Sequence, residues 1–252
     1  FGREAEVLMD CGAYGGEQVF LTTMTSHTLG GNYKLENVII NSKAVYTNTP
    51  PNGAFRACNG VYNTFALEAH TDEICKKIEM DKFLFRKKNV VGKNDIGATG
   101  QVFEGDVLLP MLELMLKKRK KTPKIKIPKN LLYGRGAAVG TWFIFVGPSS
   151  ANVNLNNDGS ATLVSSGVEI GSGTMVQSLP QIVAGTLGID PDMVIIKSAD
   201  TDSAGRDLGI GGGRATVSLG SASLSACNEI KNQLLKAASE LLQCKSEELE
   251  IS

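Results

Sequence analysis

Three glycine-bearing turns, each set immediately before a stretch of helical character, constrain this chain more than any other feature. The first is Gly53-Ala54-Phe55-Arg56-Ala57-Cys58-Asn59-Gly60; far downstream come Gly171-Ser172-Gly173 and Gly211-Gly212-Gly213-Arg214. A helix start leaves backbone N–H groups without intrahelical partners, and glycine lets the chain turn tightly enough to aim them at an anion. Two of the turns add arginine, whose planar fork suits oxo, pterin or phosphate oxygens. Together the three describe a cradle for an anionic ligand with many hydrogen-bonding groups. Each also has a plainer reading. Arg56 can cap its turn or pair with Glu68, Gly171-Ser172-Gly173 can be a structural strand-to-helix connection, and the triple glycine can be a loose surface loop.

The rest of the chain reads as mixed helices and strands, an α+β fold. A turn at residues 1–3 leads to a strand at 6–9, and short β-rich runs cover 36–40 and 44–47. Apolar Val61, Phe65, Ala69, Ile74 and Ile78 predict a helix over 61–78. Asp81 is placed to cap a second helix through Lys88. A third, from about Asp106, tolerates Pro110 in its first turn and ends in Lys117-Lys118-Arg119-Lys120-Lys121, cations suited to a solvated helix end. Pro123 and Pro128 then mark a linker over 123–135, separating a domain at 1–122 from one at 136–252. The second half predicts a strand over 137–146, a hairpin of 151–155 and 161–165 turned by Asn156-Asn157-Asp158-Gly159, and a helix over 174–187 closed by Gly188. A strand at 194–197 and a long helix over 216–242 follow.

Several function classes are excluded. Lys+Arg and Asp+Glu both total 26, so no charge excess steers the chain to nucleic acid or a membrane surface. The five cysteines form no C-x-x-C pair, which leaves no zinc ribbon, redox motif or protein-ligated iron–sulfur cluster and points to reduced thiols in the cytoplasm. His27 and His70 are too few and too far apart for a metal site. No Gly-Lys-Ser/Thr follows a glycine turn, the dinucleotide fingerprint lacks its third glycine, and no serine, Ser149 and Ser150 included, sits in a nucleophile elbow. Asp200 and Asp202 before the triple glycine have an acid–base reading, although a structural loop is the plainer one. No apolar run is long enough for a membrane helix. The start at Phe1 and the stop after Glu248-Leu249-Glu250-Ile251-Ser252 suggest a segment of something longer.

The order of the pieces is more specific than any of them. Met9-Asp10-Cys11-Gly12-Ala13-Tyr14, Tyr33-Lys34-Leu35-Glu36-Asn37-Val38 and Val45-Tyr46-Thr47-Asn48-Thr49-Pro50-Pro51-Asn52-Gly53-Ala54-Phe55-Arg56 resemble the molybdopterin-binding large subunit of the xanthine oxidase family of molybdenum hydroxylases. Phe85-Arg86, Lys88-Asn89, Asp158-Gly159-Ser160 and Glu169-Ile170-Gly171-Ser172-Gly173 continue it in register. The resemblance runs from Val7 to about Leu242 and is weakest between Leu108 and Leu132.

This resemblance implies parts of two molybdopterin-binding domains. It assigns cofactor contacts to Phe55, Arg56 and Ala57, to Ile170, Gly171, Ser172 and Gly173, and to Gly212, Gly213, Arg214, Ala215 and Thr216. The metal itself is held by the pterin dithiolene, so no direct protein ligand is expected. The implied activity is oxidation of a heteroaromatic or aldehyde-type carbon with water as oxygen source. Electrons pass to [2Fe–2S] clusters and FAD on partner subunits or domains, the other part of the molybdenum subunit being a further partner. The family's catalytic glutamate falls beyond Ser252, so no catalytic residue is expected within the chain. Ser172 stands where the family has glutamine, and Ala57-Cys58 where it has glycine and an aromatic that stacks on substrate. These departures keep two alternatives open: reductive dehydroxylation of an aromatic thioester by the same family, and a scaffold module that carries no cofactor.

Overall fold

A computed structural model of the chain describes residues 2–121, 126–142, 144–198 and 200–251. They fall into two units, Phe1–Trp142 and Phe143–Ser252. The segment expected as a linker therefore lies in the first unit, and its residues 123–125, with Pro123, are outside the described set.

In the first unit, strand β1 (Gly2–Gly12) pairs in parallel with β2 (Asn37–Tyr46). The two short runs expected around 36–47 are one strand, and β1 begins at Gly2 rather than after a turn, because Gly2 already pairs with Asn37. Parallel neighbours need a crossover, here helix α1 (Gln18–Thr28). Its threonines and serine give it poor intrinsic helix propensity. They are accommodated because their hydroxyls bond back to the preceding turn: Thr22 to Gln18 O, Thr23 to Val19 O, Ser26 to Thr22 O and Thr28 to Met24 O. Ser42 of β2 also donates to Thr22 O, fixing α1 on the sheet.

Helix α2 (Gly60–Lys77) follows the arginine turn, and α3 (Lys82–Asn89) is capped by Asp81, whose Oδ1 accepts from the amides of Phe83 and Leu84. Helix α4 (Leu108–Lys121) carries Pro110 in its first turn, where a missing N–H costs nothing. Tyr33, Val90, Leu112 and Val139 pack into one buried cluster. Across it, Glu68 of α2 holds the fully buried Arg86 of α3.

The second unit is built on the hairpin β3 (Ala151–Leu155) and β4 (Ala161–Ser165), with β5 (Val194–Ser198) parallel to β4. Helix α5 (Leu179–Leu187) makes the crossover and ends at Gly188, in the left-handed region at φ 71°. Helix α6 (Gly220–Leu242) packs against α5 and β3. Leu163, Met175, Leu179, Val183, Leu187, Leu219 and Cys227 form the core, each removed from water at about 25 cal/mol per Å² of apolar surface. The strand expected over 137–146 is not formed in the described residues. Val139 N donates to Glu68 Oε2 and Phe145 N to Gly212 O, so these groups are spent on partners other than a ladder.

Candidate functional site

In the first unit, the segment after β2 is tied to the end of β1. Asp10 accepts from Gly12 N, Thr47 Oγ1 and Thr49 Oγ1, and these bonds, the one from Thr47 foremost, hold its carboxyl below the usual range. Asn52 Nδ2 donates to Asp10 O at 2.8 Å. The arginine turn begins on a second carboxylate, with Ala54 N donating to Glu17 Oε2 at 3.0 Å. The backbone then coils tightly, with bonds from Cys58 N to Phe55 O and Gly60 N to Ala57 O. Ala57 (φ 62°) and Cys58 (φ 40°) both stand in the left-handed region that L-residues avoid. Such strain concentrates at functional sites.

Phe55 and Arg56 project into solvent from this turn. Among the described residues, no hydrogen bond or ion pair engages the Arg56 guanidinium. The pairing with Glu68 does not form, because Glu68 is buried and taken up by Tyr33, Arg86 and Val139 N. Arg56 instead lines an open cavity of ≈ 830 Å³, with Met9, Gln18, Leu21, Cys58 and Asn59 on its walls. Burial pushes the Cys58 thiol pKa up, and Glu17 adds to the shift.

In the second unit, the turn after β4 is organised by Glu169. Its carboxylate accepts from Gly171 N at 2.7 Å, Gly173 N at 2.9 Å and Met175 N at 3.1 Å. The Gly173 amide, followed by the others, holds its carboxyl below the usual range. Gly171 (φ 96°) and Gly173 (φ 76°) supply the curvature that lets three amides face one carboxylate. These amides thus meet an anion of the chain itself. Ile170 is exposed, and Ser172 Oγ lies 3.2 Å from Thr174 Oγ1.

The third turn has the same design. Asp207 accepts from Gly209 N, Ser149 Oγ and Arg214 Nη1, which hold its carboxyl low against the opposing effect of burial. Arg214 also donates to Gly209 O, Pro148 O and Ser149 Oγ. Its guanidinium is therefore a staple of the loop. A Cβ on Gly212 (φ +55°) would lie 2.0 Å from Phe145 Cδ2, so only glycine fits there. Gly213 and Thr216 are exposed, and Ala215 is buried.

Each glycine turn of this unit enters its helix through one wide π turn, Thr174–Ser178 before α5 and Ala215–Leu219 before α6. Single π turns recur at functional positions. The two lie against one another, and a Cβ on Gly167 would meet both Leu219 Cδ1 (2.5 Å) and Met175 Sδ (3.0 Å). Asp200 accepts from Asp202 N and Ser203 Oγ, a structural turn rather than an acid–base pair. Among the described residues, no three His, Cys, Asp or Glu side chains gather to hold a metal ion.

Sequence reasoning passes over Glu17 and Asp207, and takes Glu169 only as the first residue of a motif. Glu169 and Asp207 each stand two positions before a glycine, close enough to reach back to its amide; Glu17 is 37 residues from the amide it receives.

Two sequence profiles described as molybdopterin cofactor-binding domain match the chain, one over residues 2–90 and the other over 111–252. The chain belongs to this family of molybdopterin cofactor-binding domains. It is 26% identical over 266 residues to the 6-hydroxypseudooxynicotine dehydrogenase complex subunit gamma of Paenarthrobacter nicotinovorans, covering 100% of this chain and 33% of that protein. It is 25% identical to the carbon monoxide dehydrogenase large chain of Hydrogenophaga pseudoflava, covering 99% of this chain and 34% of the relative. The crystal structure of the aldehyde oxidoreductase from Desulfovibrio desulfuricans ATCC 27774 superposes with a TM-score of 0.75 at 28% identity, over 90% of this chain and 26% of that one. The chain thus spans about a third of the length of the relatives it matches.

Proposed function

We propose that this chain is the cofactor-gripping part of a molybdopterin-dependent hydroxylase or dehydrogenase that oxidises a heteroaromatic or aldehyde-type carbon with water as oxygen source. The observation that carries the reading is Arg56, a guanidinium unpaired among the described residues, on a strained turn at the wall of a large cavity. A cation presented this way, with its backbone fixed by Glu17, fits an anionic, oxygen-rich group.

In this reading the cofactor contacts of the first unit are Phe55, Arg56 and Ala57. Those of the second unit are Ile170, Gly171, Ser172, Gly173, Gly212, Gly213, Ala215 and Thr216. Arg214 serves by shaping its loop through Asp207. Glu169 already satisfies the amides at 171, 173 and 175, so the exposed side of that turn offers the Ser172 hydroxyl and the remaining backbone groups. When bound, the pterin-held molybdenum supplies two-electron redox chemistry, and no side chain of this chain is its ligand. The catalytic base and the [2Fe–2S] and FAD carriers belong to other segments or subunits. The relatives named as a complex's subunit gamma and as a large chain support such an assembly. A cytoplasmic setting is part of the same proposal; among the described residues, no helix is long and apolar enough to cross a membrane.

The test is molybdenum and pterin content of the native complex with and without Arg56→Ala. Losing one charge-assisted interaction weakens cofactor retention by about 10- to 100-fold, with the melting temperature of the cofactor-free protein unchanged. Stoichiometric cofactor in the variant, at an unaltered turnover rate, overturns the assignment of Arg56; a fully assembled wild-type complex without molybdenum overturns the function.

A further inference from the structure

The chain holds two Asn-Gly pairs, Asn52-Gly53 and Asn59-Gly60, one at each end of the arginine turn. An asparagine followed by glycine carries a latent reaction. The next peptide nitrogen can attack the side-chain amide carbon, and glycine has no Cβ to hinder the ring closure. The fold treats the two pairs in opposite ways. Asn59 is 1% exposed, its Nδ2 donates to Leu21 O at 2.8 Å and Thr25 Oγ1 at 2.9 Å, and Gly60 N donates to Ala57 O at 2.8 Å. Its amide and the attacking nitrogen are both held, at the start of α2.

Asn52 and Gly53 are exposed, and among the described residues no acceptor takes the Gly53 N–H. Asn52 Nδ2 makes one bond, to Asp10 O at 2.8 Å. Gln18 Nε2 donates to Asn52 O at 3.0 Å, which draws electron density from the peptide whose nitrogen must give up its proton. We propose that Asn52-Gly53 is a self-modification site, at which the chain deamidates and converts residue 52 to aspartate and isoaspartate. The Gly53 nitrogen bonds to Asn52 Cγ, the Cγ–Nδ2 bond breaks, and ammonia leaves with the proton from Gly53 N. Water then opens the ring: cleavage of the new Cγ–N bond gives aspartate, and cleavage at the Asn52 main-chain carbonyl gives isoaspartate. Neither step is a redox change. Either product removes the donor that ties this segment to Asp10 O and leaves a carboxylate in its place, so the turn that presents Arg56 loses an anchor. The reaction needs only water and stands apart from the cofactor reading above.

The assembled complex is held in mildly alkaline buffer, sampled over time and digested. Peptide mass spectrometry reads the amide-to-acid change at residues 52 and 59, and methyl transfer by an isoaspartyl methyltransferase reads isoaspartate. Asn59-Gly60 must release three hydrogen bonds where Asn52-Gly53 releases one, so residue 52 is expected to convert at least about tenfold faster. Its rate should rise with pH, because the Gly53 nitrogen reacts deprotonated. Gly53→Ala fits the fold, a Cβ there meeting nothing closer than Glu17 Oε2 at 3.8 Å, and should slow conversion at residue 52 about tenfold while leaving residue 59 unchanged. In unfolding urea the two wild-type pairs should convert at like rates, since the fold makes the difference. Equal rates in the folded complex, or a difference that survives in urea, overturn the site. So does a Gly53→Ala variant that converts as fast as the wild type, and the wild-type comparison decides alone should that variant fail to fold.

Discussion

The Glu68 carboxylate holds the Arg86 guanidinium at 2.7 Å, Oε2 to Nε, with Arg86 fully buried and Glu68 nearly so. Tyr33 donates to Glu68 Oε1 at 2.7 Å, Val139 N donates to Oε2 at 2.9 Å, and Asp72 receives Arg86 Nη1 at 2.8 Å. One ion pair thus joins α2, α3, the segment before β2 and the stretch around Val139. Breaking such a pair from one side strands a buried charge, which costs about 3–5 kcal/mol. Arg86→Met is expected to lose that much in urea denaturation. Tyr33→Phe removes one bond to a charged acceptor and should lose about 1.5–3 kcal/mol. The reverse ranking would show that Glu68 gives up its charge once Arg86 is gone.

Ala57 stands at φ 62° directly after Arg56. A left-handed non-glycine residue costs roughly 1–2 kcal/mol, partly offset by the larger unfolded-state entropy of glycine. Ala57→Gly should therefore stabilise the first unit by about 1 kcal/mol, read as a higher denaturation midpoint at constant slope. A destabilised variant would mean that the Ala57 methyl makes contacts that outweigh the strain.

Glu169 makes the second glycine turn sensitive to acid. Its pKa is depressed in the folded turn, chiefly by the Gly173 amide. A carboxylate of that kind adds stability above its ordinary value and loses it as the pH falls through the lower folded value. Amide exchange at Gly171, Gly173 and Met175 should accelerate, relative to intrinsic rates, as the pH drops below the ordinary glutamate value of 4.5. In Glu169→Gln the same amides should exchange fast throughout, with no acid transition. Protection that persists unchanged in Glu169→Gln would remove Glu169 from its organising role.

Local rules made much of the fold legible. The helix expected over 61–78 forms as α2, although Val61 and Phe65 lie exposed and its buried face is Asn63, Leu67, Glu68, Thr71 and Cys75; Asp81 caps α3, and Asn156-Asn157-Asp158-Gly159 turns the β3–β4 hairpin. Helix α1 was illegible because its threonine hydroxyls are satisfied on its own carbonyls and Ser42 ties it to the sheet, neither of which leaves an apolar period. Residues 137–146 carry a strand's composition, yet the amides of Val139 and Phe145 are claimed by Glu68 and Gly212. In the candidate site, the glycine turns and Arg56 stand out by residue type. The internal carboxylates do not, since Glu17 meets Ala54 only through the fold, and an arginine's exposure is not written in its neighbours.

Arg56 and Arg214 look alike in sequence, each beside a glycine turn, but the structure separates them. Arg214 Nη1 lies 2.7 Å from Asp207 Oδ1, with both side chains almost wholly buried, and its other donors reach Pro148 O and Ser149 Oγ. Arg214→Met leaves Asp207 buried without its cation and should destabilise the second unit by about 3–5 kcal/mol. Any loss of molybdenum should follow from a loosened loop, and Asp207→Asn should reproduce part of it. Arg56 is exposed and, among the described residues, unpaired, so Arg56→Met should change unfolding free energy by no more than about 0.5 kcal/mol. Its effect should appear only in molybdenum content. Denaturation of the cofactor-free protein, set beside metal analysis of the loaded complex, separates the two roles. Equal stability losses from both substitutions would show that Arg56 is a structural residue like Arg214, and would leave the cavity without its cofactor-facing cation.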